Sequence, residues 1–183
     1  MIEKVKQSLL PIGSGVFLLA IDAVTKWIAN ATLPVDTTVN TGLSFWKWRL
    51  TYNTGYHYLF GEIAHFRVVQ TIGMIAVLVL VGVMVKQRSE LDTADPNRKL
   101  FGVYIALLIG AMGNPLETLI FGRVTDYFIF TPLPWPSNVA DQYINLAIYV
   151  FLPIWLYISY REWRQEKKAE KPSDPAPPQA EES

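Results

Sequence analysis

The chain has 183 residues, 51% of them hydrophobic and 17% charged, against about 25% charged in an ordinary soluble domain. Sixteen Lys and Arg balance sixteen Asp and Glu, which argues against nucleic acid as a partner, because phosphate binding draws on surplus basic charge. Cysteine is absent and only His57 and His65 are present, which excludes disulfides, thiol nucleophiles, thiolate metal sites and a multi-histidine metal cage. Carboxylate, hydroxyl and amide chemistry remains, in an apolar chain.

In chain order, the apolar residues gather in four blocks: Leu9–Ala29, Val68–Val85, Leu100–Phe121 and Tyr143–Tyr160. Each has the length of a membrane span, for which a helix rising about 1.5 Å per residue needs about 20 residues. The second and fourth blocks contain no charged residue before their ends, unlike the buried helices of soluble proteins. The sequence thus predicts an all-α membrane protein with four transmembrane helices. Ala29-Asn30-Ala31 resembles a signal-peptide cleavage site, but Asp22 and Lys26 interrupt the first block, and its length exceeds the usual apolar core of about 7–15 residues. It reads as a retained span.

Basic residues set the expected orientation. Lys4, Lys6, Lys86, Arg88, Arg98, Lys99, Arg161, Arg164, Lys167, Lys168 and Lys171 fall on one side, against Lys47, Arg49, Arg67 and Arg123 on the other. The positive-inside rule then puts both termini in the cytoplasm.

Between the first two spans, residues 30–67 form an outer interfacial region. Within it Thr37–Val39 and Leu43–Thr51 read as short strands from their β-branched and aromatic residues, and Ile63–Arg67 reads as an interfacial helix. Gly122–Ser137 is a second outer connection in which Pro132, Pro134 and Pro136 impose an extended path. We expect one polytopic membrane domain over residues 1–165. A tail over 166–183, with four prolines in Lys171–Ser183, is expected to be disordered.

Polar residues in or near spans are costly and call for a reason. Asp22, Thr25 and Lys26 share one helical face. The plainest reading pairs Asp22 with Lys26, which then snorkels to the outer interface. Asn114 and Glu117 share a face beside Pro115, whose missing donor frees a carbonyl one turn earlier. Asp126 follows the third span and Asp141 precedes the fourth. Two aspartates so placed serve equally well as solvated groups or helix caps. If they meet, they share a proton, and the pair can divide acid and base roles as in aspartic proteases.

Several segments together resemble the signal peptidase II, or lipoprotein signal peptidase, family in order along nearly the whole chain. Asp22-Ala23-Val24-Thr25-Lys26 resembles its D-x-x-T-K element, and Asn53-Thr54-Gly55 the start of N-x-G-A-A-F. Gly113-Asn114 opens G-N-x-x-D-R, Gly122–Tyr127 is similar to G-x-V-x-D-F, and Asn138–Asp141 matches N-V-A-D. The resemblance implies four spans with a small β-rich domain on the outer face. It implies an aspartyl endopeptidase of the bacterial inner membrane that removes signal peptides from diacylglyceryl-modified prolipoproteins, beside membrane lipid and without metal or organic cofactor. It makes Asp126 and Asp141 the catalytic dyad. Asn53, Gly55, Asn114 and Asn138 become substrate-binding or dyad-supporting residues, and Asp22, Lys26 and Glu117 structural supports. Trp46 and Trp48 would be membrane anchors.

The chain also departs from the family pattern. Glu117-Thr118 replaces Asp-Arg, Tyr56-His57-Tyr58 replaces small residues, Tyr52 replaces an arginine, and the interval between the aspartates is shorter. Two other readings therefore stay open: a homologue that binds lipopeptides without efficient cleavage, and a proton-coupled carrier using Asp22, Lys26 and Glu117.

Overall fold

The computed structural model describes residues 2–57, 61–92, 94–130 and 135–169. Four helical stretches are long and apolar enough to cross a membrane: Leu9–Thr32, Phe66–Glu90, Pro96–Phe121 and Val139–Gln165. They contain the four apolar blocks and extend beyond them.

The first helix, α1 (Ile2–Thr32), buries Pro11, Gly15, Asp22, Lys26 and Ala29, which recur along one face. That face packs on α3 (Pro96–Ala111). Small residues permit the close approach: a Cβ added at Gly15 would lie 2.6 Å from the Ile109 Cβ. A Cβ at Gly110 would lie 2.9 Å from Leu18 and 2.8 Å from the Tyr143 ring of the fourth span. Gly110 is thus where three spans converge. By contrast α2 (Phe66–Glu90) leaves Val68, Ile72, Ile75, Val79 and Val83 exposed, a surface suited to lipid.

The third span is broken. Asp95 caps α3 by accepting from the Asn97 N–H at 2.7 Å, with Pro96 as the first helical residue. The helix stops at Ala111 and resumes as α4 (Gly113–Phe121). Pro115 cannot donate to the Ala111 carbonyl four residues back, so the interruption falls where the sequence places it. Gly122 ends α4 at φ 73°, its N–H reaching the Thr118 carbonyl at 2.8 Å. The Arg67 guanidinium packs where a Gly122 Cβ would stand.

A four-stranded antiparallel sheet lies at the end of the bundle where α1 finishes and α2 begins. Its order is β1 (Val39–Asn40), β2 (Trp46–Asn53), β5 (Val124–Phe130), β6 (Pro136–Ser137). A separate hairpin pairs β3 (Tyr56–His57) with β4 (Gly61–Glu62). The central pairing aligns Thr51 with Asp126 and Asn53 with Val124, with a bulge between Trp48 and Thr51 that buries Leu50.

Several expectations change here. The first strand covers Val39–Asn40 rather than Thr37–Val39. Ile63–Arg67 forms no separate interfacial helix: Ala64 and His65 turn, His65 at φ 55°, and α2 starts at Phe66. Gly122–Ser137, read as a loop, contains the long strand β5. Trp46 and Trp48 are half-buried in the sheet. Trp46 stacks on Phe128 at 5.0 Å and meets Trp48 edge-on at 5.1 Å.

The fourth span starts as α5 (Val139–Asn145), passes through a π-helical turn over Leu146–Phe151, and continues as α6 (Leu152–Ala169). Its helix therefore takes in the first residues of the expected tail; residues 170–183 lie outside the described residues, as do Tyr58, Pro132 and Pro134.

Candidate active site

Two local devices bring the aspartates together. The alternation of β5 turns Val124, Asp126 and Phe130 toward one cavity. Asn138 starts α5 as its N-cap, and Asp141, three residues on, completes a capping box. Asp141 Oδ2 accepts from the Asn138 backbone N–H at 3.1 Å, and the Asp141 N–H donates to Asn138 Oδ1 at 3.0 Å. The Asn138 side chain, wholly buried, then donates from Nδ2 to Asp126 Oδ1 at 2.6 Å. One asparagine thus holds both carboxyl-bearing residues, each by a different face of its amide.

Both aspartates line a cavity of about 980 Å³, together with Asn53, Asn114, Phe66 and Tyr149. Asp126 is 5% exposed. Burial, and then the neighbouring Asp141 carboxyl, push its carboxyl well above the ordinary aspartate range. A carboxyl so placed keeps a proton where a solvated aspartate would have lost it.

Behind the pair lies a buried charge cluster. Lys26 is 5% exposed and does not snorkel. Its ammonium binds Asp22 Oδ2 at 2.9 Å, Glu117 Oε2 at 3.0 Å and Asn114 Oδ1 at 2.7 Å. The sequence showed that Asp22 and Lys26 could pair; it did not show that Glu117 and Asn114 supply acceptors across the bundle, which removes the drive toward water. Asp22 Oδ1 accepts from the Ala140 N–H at 2.9 Å, tying the first span to the start of the fourth. Glu117 accepts from the Thr125 N–H at 3.0 Å and from the Thr125 hydroxyl, tying α4 to β5 next to Asp126. Asn114 Nδ2 donates to Asp141 Oδ1 at 2.8 Å.

Of the residues singled out from sequence, Asp126, Asp141, Asn53 and Asn114 share the cavity wall, and Asn138, Asp22, Lys26 and Glu117 stand behind it. Gly55 does not line the cavity. At φ 141° it turns the chain where an added Cβ would lie 3.1 Å from the Phe66 Cβ, while its N–H donates to Asn53 Oδ1 at 3.0 Å. Gly113 leaves no room for a side chain, since an added Cβ would run into the Asp22 carboxylate. Thr118 is fully buried and its hydroxyl donates to the Asn114 carbonyl at 3.0 Å, so this position sends no group into the cavity.

Sequence reasoning missed Thr125, whose two donors hold Glu117, and the cavity-lining amides Gln70, Gln142 and Asn145. Asn145 follows Asp141 by four residues and Gln142 precedes Asn145 by three, spacings of one helical side, and Gln70 is an isolated amide early in an apolar span. Those were the available signals.

Comparison with known proteins follows the same residues. Residues 15–157 match the family model described as signal peptidase (SPase) II. The chain belongs to the signal peptidase II family. It is 30% identical over 142 residues to the lipoprotein signal peptidase of Thermodesulfovibrio yellowstonii, covering 74% of this chain and 86% of that one. It is 28% identical over 140 residues to that of Ectopseudomonas mendocina, covering 72% and 79%. Two solved bacterial membrane enzyme structures share the fold. One has a TM-score of 0.65 at 21% identity over 80% of this chain and 91% of its own. The other has a TM-score of 0.66 at 18% identity over 90% and 93%. As a signal peptidase II the chain is a multi-pass membrane peptidase of the lipoprotein-processing class.

Proposed function

We propose that this signal peptidase II is an aspartyl endopeptidase that cleaves lipid-modified prolipoproteins at the outer face of the bacterial cytoplasmic membrane, with both termini in the cytoplasm. The observation that carries this reading is the joining of Asp126 and Asp141 through Asn138 at one cavity wall. Two carboxyl groups so placed share a proton: one takes a proton from water as it attacks the scissile carbonyl, and the other protonates the carbonyl oxygen. Asn53 and Asn114 on the same wall supply amides for an extended substrate backbone. The diacylglyceryl chains stay in the hydrocarbon while the scissile bond reaches the dyad at the membrane boundary. The family assignment supports the prolipoprotein as substrate, and the excess of basic residues on the opposite side supports the orientation.

The test uses purified protein in detergent and a diacylglyceryl-modified precursor peptide. Asp126→Asn and Asp141→Asn should each lower cleavage by about 10²–10⁴-fold or more, with the thermal transition preserved. Cleavage retained by either variant rejects the dyad.

Thr118, where the family motif has Arg, favours a second reading: a homologue that binds lipopeptides without efficient cleavage. Saturable binding of the same peptide with no product from the native chain would establish it.

A further inference from the structure

The orientation of both asparagine side chains is fixed by donors that cannot be reversed. An amide's oxygen and nitrogen are assigned from their surroundings, and here the surroundings leave one choice. The Lys26 ammonium can only donate, so the atom it meets on Asn114 at 2.7 Å is the carbonyl oxygen. The Asn114 NH2 group is then turned toward Asp141 Oδ1, at 2.8 Å. In the same way the Asp141 backbone N–H requires Asn138 to present its oxygen, which turns the Asn138 NH2 group toward Asp126 Oδ1.

The consequence for the two carboxyls is unequal. Asp141 accepts a hydrogen bond on each oxygen, from Asn114 on Oδ1 and from the Asn138 N–H on Oδ2. Both donors favour the ionised carboxylate, and Asp141 has one more of them than Asp126. Asp126 accepts on Oδ1 alone; among the described residues no donor is paired with its Oδ2. The titratable groups facing the pair are Asp22 and Lys26 from α1 and Glu117 from α4, and Lys26 is the one cation among them.

We propose that Lys26, through Asn114, fixes the shared proton on Oδ2 of Asp126, so that Asp126 is the acid of the first step and Asp141 the base. Lys26 and Asn114 are then positioning residues, and this assignment rests on the aspartyl-peptidase reading above. The Asp141 carboxylate takes a proton from water as the water oxygen bonds to the scissile carbon. Asp126 gives its proton to the carbonyl oxygen, leaving a neutral gem-diol with Asp126 ionised and Asp141 protonated. In the second step Asp141 protonates the amide nitrogen and Asp126 takes back one diol proton. The C–N bond breaks, and the dyad returns to its starting state. Burial and the nearby Asp141 carboxyl, which both hold Asp126 toward its neutral form, agree with the geometry.

A vibrational measurement tests the proton's place without substrate. The protonated-carboxyl stretch of the native protein should move to the glutamic-acid position in Asp126→Glu and stay unmoved in Asp141→Glu. The opposite pattern, or no protonated carboxyl in the native protein at neutral pH, overturns the assignment.

Kinetics tests the relay. Lys26→Met and Asn114→Leu each remove donor control from Asp141, so the acidic limb of kcat against pH should move to higher pH by about one unit, equivalent to one lost charge-assisted hydrogen bond. KM should change little in Lys26→Met, whereas Asn114→Leu, which alters the cavity wall itself, is read by its pH limb alone; Lys26→Arg should restore the native limb in part. A uniform loss of activity with an unshifted profile would leave Lys26 a structural support and reject the relay. Asn114→Leu keeps this arm decisive if Lys26→Met does not fold. A protein that cleaves nothing would reject the peptidase reading, while the vibrational result would still decide where the proton sits.

Discussion

Burial and the neighbouring carboxyl of Asp141 favour the neutral form of Asp126 more than Asn138 and Lys26 oppose it, and this has a consequence for stability as well as for chemistry. Its carboxyl is raised first by burial and then by Asp141, so folding takes up a proton at this position. The resulting stabilisation is complete below the unfolded aspartate value of about 3.9 and is lost as pH rises through the folded value. The melting temperature of the detergent-solubilised protein should therefore fall as pH is raised through the titration of Asp126. Asp126→Asn should flatten that slope and be at least as stable as the native chain at neutral pH. A steeper slope in the variant would contradict the burial argument. At the same scale, Gly113→Ala forces a methyl group against the Asp22 carboxylate. It should cost about 1–3 kcal/mol, read as a lowered thermal midpoint.

The elements differ in how openly the sequence declares them. The four spans are legible because an apolar run long enough to cross a bilayer has few other uses, and the break before Pro115 is legible because proline lacks a donor. Strand β5 is not. Val124–Phe130 does carry β-branched and aromatic residues, yet prolines follow it, and its strand character depends on pairing with β2 some 75 residues earlier. The π-helical turn depends equally on its neighbours: the Ala147 carbonyl accepts from the Leu152 N–H five residues on and from the Tyr104 hydroxyl at 3.1 Å. For the candidate site, motif resemblance pointed to both aspartates and three asparagines that the structure brings together. It could not find Thr125, because a threonine in a strand has no local mark of its partner on α4. Thr125→Val removes the hydroxyl donor to Glu117, which keeps the residue-125 N–H and Lys26, and should cost about 1–2 kcal/mol, shown by chemical or thermal denaturation. It should also lower cleavage by loosening β5 beside Asp126; an unchanged midpoint would make that contact incidental.

Over the whole molecule, polarity is inverted relative to a soluble protein. Asp22, Lys26, Asn114, Asp126 and Asn138 are inside, while valines, leucines and isoleucines of the spans cover the outside. The proposed outer placement of the sheet is open to a direct check, because a chain without cysteine is its own labelling background. A single cysteine at Asn40, exposed in β1, should react with an impermeant maleimide added to intact spheroplasts. One at Gln87, exposed near the end of α2, should react only after the membrane is opened. The reverse labelling would invert the proposed topology.

The bond from Asp22 to the Ala140 N–H joins positions 118 residues apart, and the remaining contributors, α4, β5 and α5, come late in the chain. During synthesis, then, a fragment lacking its final span holds an incomplete site: Asn138 and Asp141 have not yet arrived to complete the cluster begun by Asp22 and Lys26. On the proposed reading, the arrival of the last helix is the event that completes the dyad.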